Sequence, residues 1–434
     1  MDMFFNISRF MNSTYAKKIP PQVRNELQLL VKVFPFKVSR YVLDELIDWD
    51  NREDDPIYRL VFPRKEMLSE NHWQLLKSAK SSIEEKEVVQ SIRRQLNPHP
   101  ADQKHNIPRL GNRVFGGIQH KYVETVLFFP AQGQTCHSYC TYCFRWAQFV
   151  NLNEHKFKSK DHKDLFDYLS HHKSVTDILF TGGDPLFMNN ETLFSYLEII
   201  IKPGLEHVSS IRIGSKALAF HPDRFLGEEG DAFLNGIDKI ISKGKNVTLM
   251  AHFSHPKELR TKKVKQAVRR LRDAGVVIRT QAPLIRGIND SAHIWRDMWN
   301  ESVHMGMIPY YMFVERDTGA HEYFSIPLAR AYRIFTEAYS QVSGLAKTVR
   351  GPSMSASPGK VLVSGITRVG GEKKFVLKFI QARKPDLINK PFFANFDEEA
   401  VWLTDLDIDS PMKEMLENQP VEFEEDEMKI DEVA

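Results

Sequence analysis

Two hydrophobic rhythms divide the chain. Up to about residue 105, apolar residues recur at three- and four-residue intervals in ELQLLVKVFPFKV, SRYVLDELIDW and SENHWQLLKSAKSSIEEKEVVQSIRRQL. That spacing predicts helices with one face against a core. The segment PHPADQKHNIPRLGNR, rich in Pro, Asn and Gly, predicts an irregular link. From about residue 120 short β-rich runs take over: TVLFF (125–129), TDILF (176–180), SIRIG (210–214), NVTLMA (246–251), VVIRT (276–280) and IPYYMFV (308–314). Helical patterns such as DAFLNGIDKIISKG, KELRTKKVKQAVRRLRDAG and HIWRDMWNESVHMG lie between them. This alternation predicts βαβ units around a parallel sheet. Six such units predict an α/β fold of the partial (β/α)6 barrel type, with chemistry at the carboxyl ends of the strands. A doubly wound open sheet fits the same periodicity. Beyond a further helix, PLARAYRIFTEAYSQVSG, the runs TVRGPSMSASPGKVLVSGI and KKFVLKFI predict a small β-containing C-terminal piece. The closing EFEEDEMKIDEVA is an acidic run expected to be a solvated tail. The expected organisation is a helical region over 1–105, an α/β core over 106–345, a C-terminal segment over 346–418 and an acidic tail over 419–434.

Composition changes this picture little. A chain of 434 residues has room for one α/β core with appended segments, or for two or three domains. A net charge of +3 gives no ground for a nucleic acid or an anionic membrane as partner. No stretch approaches the roughly 18 apolar residues that span a bilayer. The N-terminus, MDMFFNISRFMNSTYAKK, lacks the apolar core and cleavage site of a signal peptide. Its positive charges leave a transit peptide open, and a cytoplasmic location is the expectation.

Cysteine usage changes it more. The three cysteines, Cys136, Cys140 and Cys143, lie within eight residues, which makes a poor disulfide framework. In TCHSYCTYCFRW they follow a predicted strand at spacings of four and three. Three thiolates on one loop can ligate three irons of a [4Fe–4S] cubane and leave the fourth open to a small ligand. A zinc site with His137 as fourth ligand is the alternative, although structural zinc commonly uses two separated ligand pairs. The C-x3-C-x2-C pattern with an aromatic before its last cysteine resembles the radical S-adenosylmethionine (SAM) superfamily. Thr181-Gly182-Gly183-Asp184-Pro185 follows the next predicted strand, where paired glycines let backbone approach a ligand closely. One βα unit after the cysteines, Gly182, Gly183 and Asp184 resemble the superfamily segment that binds the amino group of SAM.

CTYCFRW, TGGDPL, IRIGSK, HFSHPKE and TQAPLIRGIND together resemble the lysine 2,3-aminomutase family over about residues 105–365, in the family's order. The resemblance implies a [4Fe–4S] cluster, SAM and pyridoxal 5′-phosphate (PLP) as cofactors, and migration of an amino group between adjacent carbons of an amino acid. It implies that Arg145 holds the substrate carboxylate, a task suited to a guanidinium. His252 and Gln281 match positions contacting the SAM carboxylate, and Arg212 and Ser215 are expected to line the same site. Lys360, in Ser-Pro-Gly-Lys, matches the lysine that carries PLP. Tyr122 matches the phosphate side, while Thr125 stands where the family has an arginine. The carboxylates that receive lysine's distal ammonium are not clearly kept: Glu315-Arg316-Asp317 and Pro352-Ser353 stand there. A lysine substrate is therefore in question, while an amino acid substrate is expected. The implied partners are that small molecule and a reductant protein, with a homo-oligomer left open. A radical SAM enzyme without PLP, or a non-catalytic zinc or iron–sulfur scaffold, are the competing functions.

Overall fold

The computed structural model of the chain describes residues 3–98, 106–110, 113–150, 158–356, 358–410 and 412–417. The expected acidic tail and part of the expected link lie outside the described residues. The N-terminal periodicity yields α1 (Pro21–Val33), α2 (Pro56–Val61), α3 (Glu70–Ser78) and α4 (Ser82–Gln95). Three local devices divide it more finely than periodicity predicts. Phe34 precedes a proline and adopts extended backbone, which stops α1. Of SRYVLDELIDW only residues 40–46 are helical, with Val42–Leu46 of π type, because Val38 and Ser39 pair with Phe4 and Phe5 as a short ribbon. The third run breaks before Ser81, whose hydroxyl caps α4 by accepting from the Glu84 amide at 3.1 Å.

The main sheet has eleven strands in chain order. An antiparallel β1 (Ile118–Tyr122) precedes the parallel strands β2 (Thr125–Phe128), β3 (Asp177–Phe180), β4 (Ser210–Ser215), β5 (Asn246–His252), β6 (Val277–Leu284), β7 (Ile308–Val314) and β8 (Arg350–Ser355). Helices α5 (His162–His171), α6 (Asn190–Leu197), α7 (Gly227–Ile241), α8 (Lys262–Asp273), α9 (Ala292–His304) and α10 (Leu328–Ser340) follow β2 to β7 in turn. All six predicted strands form within a few residues of their expected ends, and β8 adds a seventh.

Strand order decides between the two folds that periodicity leaves open. A doubly wound sheet reverses its order at a switch point, which puts helices on both faces. Here each strand joins the same growing edge, so right-handed crossovers place all the helices on one face. The other face closes around a cavity, as in a barrel left open. Helix α8 shows how the outer layer is made. Thr261 caps it, Val264, Ala267, Val268 and Leu271 form its buried stripe, and Lys and Arg fill much of the remaining surface. Each fully buried Val or Leu contributes about 1.5–3 kcal/mol.

The C-terminal strands β9 (Gly359–Val369), β10 (Glu372–Ala382) and β11 (Pro391–Asn395) extend the same sheet antiparallel. Their inner residues, among them Val361, Phe375, Leu377 and Phe379, form a second apolar cluster with Leu328 and Trp402. The N-terminal helices instead share one core with the barrel.

Candidate active site

Alternation along the parallel strands selects what faces the cavity. In β4, Ile211 and Ile213 are buried toward the helices, while Arg212 and Gly214 point the other way. The same period turns Leu179, Gln281, Tyr311 and Phe313 inward. They line a cavity of about 380 Å³ that receives residues from β1 to β7 and from the C-terminal strands.

The cysteine loop follows β2 at the carboxyl rim, and the N-terminal region holds it there. The Tyr139 amide donates to the Lys37 carbonyl at 2.9 Å, and the Thr141 amide to Leu60 at 2.9 Å. The Thr141 hydroxyl donates to the Arg59 carbonyl at 2.8 Å, and Ser39 N–H to Ser138 Oγ at 2.9 Å. Cys136, Cys140 and Cys143 all line the cavity and are accessible only in part. Burial raises all three thiols, Cys140 to about 12 and Cys136 well above its ordinary value. Without a cation they stay protonated, and coordination to iron supplies what ionises them. A separate protein cation offsets part of that cost at each thiol: Lys37 for Cys136, Lys216 for Cys140 and Arg145 for Cys143. The residues present thus fit a cluster carried by thiolates. His137, the alternative zinc ligand, packs its ring against Phe4, Phe187 and His221 and turns Nδ1 toward Asp184 at 3.5 Å.

The glycine-paired turn packs directly on this loop. Gly182 has φ 142°, a conformation that favours glycine, and a Cβ on Gly183 would run into the backbone of Thr135. Asp184 does not present a free carboxylate. It accepts from Ser215 Oγ at 2.8 Å and from the amides of Lys216 and Leu186 at 3.0 Å. Asp184 and Ser215 therefore brace the turn against β4, and the backbone of Gly182 and Gly183 is what faces the cavity.

His252 ends β5, and its Nε2 lies 2.9 Å from the Tyr142 hydroxyl, which also meets Ser254 Oγ at 3.0 Å. Burial pulls the His252 pKa well down, so the imidazole is neutral. Gln281 lines the cavity from β6. Arg212, expected beside these two, stands lower in the barrel. It forms a bidentate pair with Asp177 at the start of β3, with Nε donating at 2.8 Å, and acts electrostatically on Lys360 and Tyr122. Strand position explains the difference: Arg212 is the third residue of β4, a turn of pleat below the rim.

Lys360 is the second residue of β9, at a strand's beginning where a turn was expected. Its Nζ donates to Gln381 Oε1 at 3.0 Å and sits 4.2 Å from the Tyr311 ring centroid. Burial pulls its pKa well below 10.5, and the charges of Lys121, Arg212 and Arg350 lower it further. The shift favours the neutral, nucleophilic form of the amine. The Tyr122 hydroxyl is buried nearby without a hydrogen-bond partner. A lysine with a lowered pKa, a donor in need of an acceptor and several cations fit an aldehyde cofactor that carries a phosphate.

Several functional neighbours carry no sequence signal of their own. Lys37 comes from the N-terminal region to donate to Thr135 Oγ1 beside Cys136, and Lys121 from β1 and Gln381 from β10 reach the cavity; only folding brings them there. Tyr142 was legible as the aromatic before the last cysteine.

A singly wound parallel sheet, a three-cysteine loop on its carboxyl rim and a glycine-paired turn against that loop together define a radical SAM enzyme. A family model described as a 4Fe-4S single cluster domain matches residues 123–254. A chain of Aquifex aeolicus (strain VF5), provisionally named L-lysine 2,3-aminomutase, is 30% identical over 392 residues, 90% of this chain and 92% of its own length. The L-lysine 2,3-aminomutase of Methanococcus maripaludis is 26% identical over 78% of this chain and 68% of its own. The glutamate 2,3-aminomutase of Clostridioides difficile (strain 630) is 30% identical over 49% of this chain and 47% of its own. The chain belongs to the lysine 2,3-aminomutase family. It is an isomerase of the radical SAM class, with a [4Fe–4S] cluster and SAM as cofactors. Among the described residues no helix is long and apolar enough to cross a membrane.

Proposed function

We propose that this protein is a PLP-dependent amino acid 2,3-aminomutase, moving an amino group between adjacent carbons of a small amino acid. The observation that carries the reading is Lys360: a largely enclosed amine, its pKa pulled well below the ordinary lysine value, facing the same cavity as the three cysteines. When bound, the cluster with SAM supplies the hydrogen-abstracting radical and PLP the carbonyl that takes up the migrating nitrogen.

The chain's own residues bind, orient and exclude water. Cys136, Cys140 and Cys143 hold the cluster, and the Gly182–Gly183 backbone, His252 and Gln281 hold SAM beside it. Lys360 anchors PLP, with Tyr122 and Lys121 on its phosphate. Arg145 keeps a buried Nη1 without a hydrogen-bond partner and takes the substrate carboxylate. Leu127, Leu179, Met250 and Phe313 keep the space between these groups dry. A reductant protein and a cytoplasmic location belong to the same proposal. It is tested with Cys140→Ala, purified anaerobically. Iron and sulfide content and the reduced-state EPR signal should collapse and turnover should cease; turnover by a cluster-free variant overturns the reading.

A further inference from the structure

The three cations that act on the cysteine thiols differ in what balances them. Lys216, which acts on Cys140, is paired with the Glu258 carboxylate at 2.9 Å. Arg145, which acts on Cys143, lines the cavity, where a substrate carboxylate can meet it. Lys37, which acts on Cys136, has neither. Among the described residues no carboxylate pairs with it, and it is not part of the cavity lining. Its half-buried side chain turns to the cysteine loop instead. The Nζ donates to Thr135 Oγ1 at 2.6 Å and lies 4.5 Å from the Phe187 ring centroid and 5.4 Å from that of Tyr139. The Lys37 carbonyl accepts from the Tyr139 amide at 2.9 Å. One residue thus grips the loop on both sides of Cys136. Ser39 fixes the same segment: its amide donates to Ser138 Oγ at 2.9 Å and its hydroxyl to the Phe220 carbonyl at 2.6 Å.

A lysine with no carboxylate to meet ordinarily extends its ammonium to water. Burial here pulls the Lys37 pKa down, and the charge of Cys136 is what opposes that pull. With Glu258 on Lys216 and a substrate carboxylate assigned to Arg145, Lys37 is the one of the three whose charge is left to the cluster. A cubane held by three thiolates is an anion, and one added electron makes it more negative. Charge and hydrogen bonding around the cysteines are among the properties that set a cluster's reduction potential. We propose that Lys37 tunes electron uptake: its ammonium stabilises the reduced [4Fe–4S]+ state over [4Fe–4S]2+ and so raises the cluster's reduction potential. The electron comes from a low-potential one-electron donor, which is oxidised as the cluster is reduced, and no bond forms or breaks. Lys37 acts through the cluster, as a positioning residue, and gives the N-terminal region a part in the chemistry beyond packing.

The test is an EPR-monitored redox titration of the full-length protein, reconstituted anaerobically with cluster and kept free of SAM, PLP and substrate. Lys37→Met should lower the ratio of reduced to oxidised cluster at a fixed potential about tenfold, which for one electron is about 59 mV. Lys37→Gln, which keeps a donor for Thr135 and removes the charge, should shift it as far. Lys37→Arg keeps the charge and should stay within about twofold of the wild type. Iron and sulfide content and Tm check that each variant is loaded and folded. Met and Gln variants with the wild-type potential overturn the proposal, and so does an Arg variant that shifts as far as they do. Loss of iron from the Met and Gln variants, with the Arg variant loaded, overturns it as well, because Lys37 then holds the cluster rather than tuning it.

Discussion

An amine enclosed by Tyr311, Phe313 and Gln381, with three other cations in range, resists protonation. The cost is borne by the folded state. Between its lowered folded pKa and 10.5 the unfolded chain protonates Lys360 more fully than the folded protein does, so the unfolded state binds more protons and stability drops as pH falls through that window. Lys360→Met should therefore raise the Tm of the cofactor-free protein by a few degrees at pH 7. The gain should fade as pH is raised toward 10.5, and thermal melts of both proteins across that range measure it. Borohydride should fix PLP to the wild type and not to the variant.

Among elements, the closest dependence lies between the cysteine loop and the N-terminal helices. The loop has little regular structure of its own, and its amides and hydroxyls bond to carbonyls around Lys37 and at the end of α2. Thr141 makes three of these contacts, to Leu60 through its amide and to Arg59 and Leu60 through its hydroxyl. Thr141→Val should cost about 1–2 kcal/mol in denaturant unfolding and lower the iron retained after gel filtration. Thr141→Ser should hold both near wild type. Equal iron retention in the Val variant would show that the loop needs no such support.

At the scale of the molecule, a single sheet joins the cysteine rim to the lysine strand. Strands β8 to β11 continue the barrel's own hydrogen bonding and cover Leu328 and Ala329 of α10. A chain ended after residue 345 would leave the β7 edge unpaired and that apolar cluster open, an arrangement that invites association. Such a chain is expected to be insoluble or aggregated by light scattering, whereas one ended after residue 417 should stay monodisperse to the degree the full chain does.

Local signals by themselves determined a good deal. The six strand runs, the helices between them, the cysteine triplet and the glycine turn are short-range patterns, and each was legible because its chemistry depends on residues a few positions apart. Folding decided what no short pattern can hold. Strand order, absent from periodicity, separated an open barrel from a doubly wound sheet. Strand position paired Arg212 with Asp177 and gave Asp184 three donors that occupy its carboxylate. Lys121, Gln381 and Arg316 reach one cavity from distant parts of the chain, because a sheet curled on itself points alternate residues of many strands at the same enclosed space. Burial there, a property of the whole fold, is what pulls the pKa of an ordinary lysine well down.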